Sequence, residues 1–449
     1  MHLIDWLIAI VPVVFIISIA VSSKKYVRGV VDYLAAGRVA GRYVICAGDL
    51  TAGLSVITLV GLVEAKYQVG YALTFWEYLT VPVWIVMGLT GFCVYRFRET
   101  RSLSIGQFLE MRYNRPLRIV AATIRTLAEM VTNAIGPAVA ANFFIYFLGL
   151  PHEVMVMGVA LPTFTLVVTS SLALCMLIIW PGGRISLLIS DAFQGLMSYP
   201  IFVIIAGYIY LHFGWHDTIG PVMIDRVDGQ SFINPFDIEK LRDFNIFALF
   251  VTIMGSILNR ASWIGNDTST SGRTPHEQKM AGILGTRRSL FAGLMMLLVA
   301  VMIIALMTHG KFASEAHDIR SELTEKVAIE SVPDLEARAG LEHSLAQVPI
   351  PRHEIGVDAP LSQDHNIDTP YITAARDSLS GTPEGNQQFQ KFRTLYHQMM
   401  LPVALKNLLP TGLMGLFLLL MIMLLISTDD SRVFNASSTI VQDLIIPFL

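Results

Sequence analysis

Nine long apolar stretches constrain this 449-residue chain more than any other feature. They run over 6–23, 43–63, 68–95, 119–149, 154–180, 185–212, 245–264, 289–308 and 408–427. A helix needs about 20 apolar residues to cross about 30 Å of hydrocarbon, so each reads as a membrane crossing, the last running on through 428–443. Beta-barrel alternation is absent, which leaves an all-α integral membrane bundle. Composition agrees: 53% of residues are hydrophobic and only 15% charged, against about 25% in a soluble domain. A net charge of −3 argues against nucleic acid as a partner. Cys46, Cys93 and Cys175 lie inside apolar runs; their spacing suits neither a zinc site nor a disulfide framework. Lys24-Lys25 follows the first stretch without a cleavage site, so that stretch is expected to be a retained span.

Charge in the short links sets the orientation. Links after the first, third, fifth and seventh spans hold sixteen Lys and Arg; the opposite links hold four, namely Lys66, Arg226, Lys240 and Arg242. The positive-inside rule puts the first group in the cytoplasm, hence the N-terminus outside and the C-terminus inside a plasma membrane. Residues 309–400 stand apart, with eight Lys/Arg against fourteen Asp/Glu. They form a long polar loop expected outside, with surface helices over stretches such as 313–329 and 386–400. Its histidines (His309, His317, His343, His353, His365, His397) lack the H-x-x-x-H spacing of a helical metal site.

Ionisable groups inside a membrane are costly, so each is a functional candidate. Span two carries Asp49 within Cys46-Ala-Gly-Asp-Leu-Thr-Ala-Gly-Leu-Ser-Val-Ile-Thr58, a weak and breakable helix. Span three carries Glu77, and span four carries Arg125 and Glu129 at pairing distance along a helix. Span six carries Asp191 with Gln194. Span seven ends in Asn259-Arg260 and Asn266-Asp267, and span nine in Ser427-Thr428-Asp429-Asp430-Ser431-Arg432. Spans two and seven, both glycine-interrupted and polar, head two successive groups. A group of five crossings reverses the starting side, which is the signature of inverted-topology repeats with a site at the broken helices. The expected division is residues 1–25 as an extra N-terminal span, 43–212 as the first five-helix repeat, and 245–449 as a second repeat. With only three spans before Leu449, that second repeat reads as truncated, as in a fragment or split gene product.

These residues resemble the sodium:solute symporter family. Asp32-Tyr-Leu-Ala-Ala-Gly-Arg38 is similar to its D-Y-x-x-A-G-R entry, and Gly106-Gln-Phe-Leu-Glu-Met-Arg-Tyr113 to its G-x-F-x-x-x-R-[YF] segment. Gly182-Gly183 followed by Ser190-Asp191-Ala-Phe-Gln194 resembles its G-G…[ST]-D-x-x-Q stretch. Leu409-Pro-Thr-Gly-Leu-Met-Gly-Leu-Phe417, then Ser427-Thr428 and Asn435-Ala-Ser-Ser-Thr439, resembles its last motif here. The resemblance implies a LeuT-type inverted-repeat bundle, similar to sodium/glucose cotransporters, importing a small organic solute with Na⁺ by alternating access. It places a sodium site on the carbonyls of Thr51, Leu54 and Leu424 and the hydroxyls of Ser427 and Thr428. It places solute contacts on Thr58, Glu77 and Asn266, with Thr58 where sugar carriers have glutamine. Asp191 then reads as a second cation site or gate residue. Asp429-Asp430, standing where relatives have small or hydroxylated residues, reads as a gate with Arg260, or Arg432, or as a cation relay.

No cofactor is expected beyond Na⁺ as the coupling ion, and no enzymatic activity. An intramembrane aspartyl hydrolase needs facing aspartates and a G-x-G-D motif, which is absent. Neighbouring Asp429 and Asp430 point about 100° apart on a helix. The alternative to a transporter is a truncated, transporter-like membrane sensor; these 449 residues carry no soluble signalling domain.

Overall fold

A computed structural model describes residues 1–156, 158–237, 246–262 and 268–449, with the backbone alone at 49–53, 73, 156, 246, 262, 268 and 286–290. The first stretch forms α1 (Leu3–Ser22), followed by the short α2 (Val30–Ala35). The second is broken, as its composition requires, into α3 (Arg42–Gly53) and α4 (Val56–Val69). Either half spans only about 18–21 Å at 1.5 Å per residue, too little to cross alone. Ser55 makes the break: its backbone is extended and its hydroxyl accepts a hydrogen bond from the Thr58 amide, capping α4.

The third stretch is one crossing built from α5 (Ala72–Tyr78), α6 (Val81–Thr90) and α7 (Val94–Thr100). Pro82 opens α6, and Gly91, at φ 67°, closes it in the left-handed conformation. After α8 (Ile105–Arg112) comes α9 (Arg115–Leu148), capped by the Asn114 side chain. The fifth stretch differs from expectation at its start. Residues 154–156 and 159–162 belong to a hairpin of β1 (Glu153–Val156) and β2 (Val159–Pro162), and the helix α10 (Thr163–Gly182) begins only after it. Valine-rich apolar runs suit a strand as well as a helix, and Gly158, at φ 84°, turns this one back on itself. α11 (Arg184–His212) and α12 (Gly220–Ile224) complete the first half.

α13 (Ile246–Ser262) and α14 (Pro275–Thr308) follow; α14 begins fourteen residues ahead of the apolar stretch it contains. In the polar segment, helices stand over the two expected stretches, 313–329 and 386–400. The segment folds into α15 (Ala313–Ser331), α16 (Leu335–Ala346), α17 (Thr369–Leu379) and α18 (Pro383–Leu408), which pack on one another and, through α18, on α4 and α9. Leu323, Val327, Phe392, Tyr396 and Met399 are fully buried there; each such side chain contributes about 1.5–3 kcal/mol. The last helix, α19 (Leu413–Thr439), continues through a wider-turned stretch, Ile440–Ile445. Among the described residues, seven helical stretches are long and apolar enough to cross a membrane, and the α3–α4 pair and α13 stand where the other two crossings are expected.

α19 is the most enclosed of these, packing against α1, α3, α9, α10 and α11. Its start is held by the N-terminal helix. Asp5, 1% exposed, accepts hydrogen bonds from the amides of Gly412 at 2.7 Å and Gly415 at 3.1 Å. The carboxylate thus satisfies amide donors left open at a helix N-terminus and opposes its dipole.

Candidate functional site

The recognised motifs converge on α19. Gly183 has φ 53°, and a Cβ there would sit 2.5 Å from the Tyr33 carbonyl oxygen, so only glycine lets the two motifs meet. Next to it, Arg184 donates to Asn435 at 2.7 Å and lies 4.7 Å above the Phe434 ring. In α8, the face of Gly106 admits the Asp443 carboxylate, whose Oδ1 accepts from Ser104 at 2.7 Å and from Arg118 Nε at 3.0 Å. These contacts fasten the far end of α19 to α8, α9 and α11.

Midway along α19 the helix faces the break between α3 and α4. The hydroxyl of Thr428 lies 3.1 Å from the Leu54 carbonyl oxygen and 2.9 Å from that of Leu424. Leu54 belongs to neither helix, so its carbonyl is available, and the end of α3 frees the last-turn carbonyls, Thr51 among them. Ser427 donates to Asp191 Oδ1 at 2.6 Å. Ser427, Thr428 and Asp191 are at most 3% exposed. α11 reaches this place because Gly48 and Gly195 carry no side chain: a Cβ on Gly48 would meet Asp191 Cβ at 3.1 Å, and one on Gly195 would collide with the Ala47 carbonyl. Behind Asp191, Gln194 donates to Ser190 at 2.8 Å.

Of the five oxygens expected to hold Na⁺, those of Leu54, Leu424 and Thr428 therefore lie together, and Ser427 hangs from the adjacent Asp191. The side chain of Thr51 is outside the described residues, and its carbonyl stands one turn back in α3. The three close oxygens fit a hard cation. Neighbours in an octahedral shell of radius about 2.4 Å lie about 3.4 Å apart, so these need open by only a few tenths of an ångström.

Asp430 is fully buried, and neither of its carboxylate oxygens finds a hydrogen-bond donor of normal geometry among the described residues. The charges that act on it are Asp191, Asp429 and Arg184. Arg432 is the cation acting on Asp429, and both lean over Gly136 of α9, within 2.9 Å and 3.5 Å of a Cβ placed there. Of the two expected gate partners, Arg432 is thus the one beside Asp429, while Arg260, on α13, acts electrostatically on Cys93 of the third crossing. Arg184 is the cation that sequence reasoning missed, having counted it only as link charge. Its signal was its place seven residues, two helical turns, before Asp191.

The expected solute residues divide. Thr58 lies one turn into α4, its hydroxyl 2.8 Å from that of Ser55. Glu77 is 45% exposed at its side chain and ion-paired with Lys66 of α4, itself buried. Lys66 went unnoticed as a lone charge in a link. Asn266 lies outside the described residues.

On the side of the molecule where α3 begins, Arg42 Nε bonds the two carboxylate oxygens of Glu277 at 3.0 and 3.1 Å, and the Arg42 amide adds a third bond at 2.9 Å. Hydrogen bonding to Arg42 pulls the Glu277 carboxyl down to about 2. Beside it, Ala40 and Gly272 form a backbone bridge, and Arg98 donates to the Gly272 carbonyl at 2.7 Å. This latch ties the entrance of α3 to that of α14.

The chain is similar in structure to a Na⁺-coupled sialic acid symporter solved in a substrate-bound, outward-open state that revealed a novel Na⁺ site. The TM-score is 0.66 at 13% identity, over 100% of this chain and 75% of that one. No protein-family model and no curated protein matches the chain. The fold is that of this solved symporter, a multi-pass helical membrane bundle of the LeuT type.

Proposed function

We propose that this chain is a Na⁺-coupled secondary transporter that imports a small organic solute by alternating access. The observation that carries the reading is the oxygen cluster of Leu54, Leu424 and Thr428 at a helix break, with Ser427 and Asp191 beside it. Unwound backbone carbonyls facing a hydroxyl pair supply uncharged ligands that a hard monovalent cation accepts. The break also gives α3 and α4 independent ends, so that one can tilt while the other stays packed. Na⁺ favours the arrangement in which the α3–α4 break and α19 are close, and loses its ligands when they separate. That differential affinity is what couples the ion to the conformational change.

Asp191, reached through Ser427, is the second cation ligand in this reading, and Thr58 and Glu77 face the solute. The Arg42–Glu277 latch closes the cytoplasmic side, which matches the excess of Lys and Arg in those links and leaves the N-terminus outside. The neighbour's sialic acid is the first solute to test. Proteoliposomes holding the purified protein should accumulate N-acetylneuraminate or another small solute under an inward Na⁺ gradient and not under K⁺. Accumulation that is the same in both cations, across a panel of sugars, amino acids and carboxylates, would refute the coupling.

A further inference from the structure

A cavity of about 370 Å³ lies where the end of α4 meets the α15–α18 cap. It is distinct from the cation site: Tyr67, in its wall, stands thirteen residues past Leu54, about 20 Å along the helix. The volume suits a small organic molecule.

Its charges are unbalanced. Arg226, Arg376 and Arg393 line it, against Asp364 and Asp368. Asp368 is already committed: Oδ1 accepts from Arg320 Nε at 2.8 Å and Tyr396 at 2.9 Å, and Oδ2 from Tyr67 at 2.7 Å. Arg320, fully buried behind it, neutralises its charge. Asp364 is exposed at the rim. Arg226 feels Asp225 and Asp368 electrostatically, but neither closes an ion pair with it among the described residues. Its guanidinium carbon lies over the Phe232 ring, 3.6 Å from the centroid, and its Nε is buried without a hydrogen-bond partner among the described residues. Nδ1 of His397, in the same wall, is likewise buried and unpartnered. Burial pushes the Arg226 guanidinium down to about 10, outweighing the pull of Tyr67, Asp225 and Asp368. Stacking on the ring fixes the plane of the guanidinium, which suits it to bidentate recognition of a planar anion.

We propose that this cavity binds a small organic carboxylate, with Arg226 meeting the carboxylate group and Arg376 and Arg393 drawing it in from the rim. It is a capture site at the mouth formed by the cap, and binding there requires neither Na⁺ nor transport.

The probes are glucuronate and its neutral counterpart glucose, titrated calorimetrically into the purified full chain in detergent with K⁺ as the only cation. Glucuronate should bind at least tenfold more tightly than glucose, and Arg226→Gln should weaken it tenfold or more. If Arg226→Gln fails to fold, the Arg376→Gln/Arg393→Gln double variant, at less buried positions, should lose severalfold in affinity and flatten the salt dependence. Equal binding of both probes overturns the proposal. So does no heat from glucuronate up to about 10 mM, tenfold above a millimolar Kd, or an affinity unchanged in the arginine variants. Binding lost in Ser427→Ala/Thr428→Ala but retained in the arginine variants would assign the probe to the core, and would equally overturn it.

Discussion

Replacing Thr428 by valine tests the cation site with the least change of shape. The substitution keeps the branched side chain and deletes the one hydroxyl that lies between the carbonyls of Leu54 and Leu424. Two effects follow, of different size. Without ion, the protein loses hydrogen bonding worth about 0.5–1.5 kcal/mol, small against a usual stability of about 5–15 kcal/mol, so the fold survives. With ion, it loses an oxygen facing a full charge. Hydrogen bonds to charged groups contribute about 1.5–3 kcal/mol, and taking that as a guide the Na⁺ affinity falls roughly ten- to hundredfold. Binding of radiolabelled sodium to purified protein, by scintillation proximity, measures this without knowledge of the solute. Thr428→Ser, which restores the hydroxyl, should recover most of the loss. A Thr428→Val protein with unchanged Na⁺ half-saturation would refute the assignment of this cluster as the ion site.

Other perturbations test the remaining parts. Asp430→Asn replaces a fully buried carboxyl group that has no side-chain hydrogen-bond partner among the described residues. It should raise the Na⁺-free melting temperature while shrinking the further rise that Na⁺ produces, whereas a structural salt bridge would give a lower melting temperature. Asp5→Ala uncaps α19 and should cost about 0.5–2 kcal/mol, seen as a lower melting temperature that Asp5→Asn partly restores. Asp368→Asn leaves Arg320 buried without its counter-ion, at a cost of about 3–5 kcal/mol; limited proteolysis should then cut within the cap before the bundle. Glu277 sets a pH window. Its folded pKa of about 2 lies below its ordinary 4.5, so the latch's contribution is complete above about 4.5 and fades only as the pH falls towards 2. Cysteine accessibility at the latch should be flat from neutral pH to about 5, and Glu277→Gln should open it at every pH.

The sequence was most legible where composition forces backbone behaviour. Gly-Asp-Leu-Thr-Ala-Gly-Leu-Ser marks a helix that cannot stay continuous, and the break falls at Leu54-Ser55 inside that run. The Ser427-Thr428 pair was visible because hydroxyls stand out among apolar neighbours. The cap was legible as a polar segment with helices over 313–329 and 386–400, but not in its packing. Its buried pair, Arg320 and Asp368, is 48 residues apart with helix α16 between them, and no local pattern announces such a partnership. Arg184 was hidden for a related reason: beside a predicted membrane edge it reads as an orientation signal, although it turns inward to Asn435. Residues 154–156 and 159–162 misled because hydropathy reports only that side chains are apolar and is blind to whether the backbone is helix or hairpin.

The contact between Asp5 and the start of α19 also bears on how the chain is made. The two partners are 407 residues apart. At about 5–20 residues per second of synthesis, α1 waits roughly 20–80 s in the bilayer before Gly412 exists. During that interval Asp5 keeps only the His2 amide, on Oδ2, and its Oδ1 lacks the two amides of α19, a costly position for a carboxylate in a membrane. The ribosome thus delivers the first helix long before its seat, and final docking of α1 is coupled to the arrival of α19. A slow last step in assembly, sensitive to Asp5 and indifferent to the cation site, belongs to this architecture.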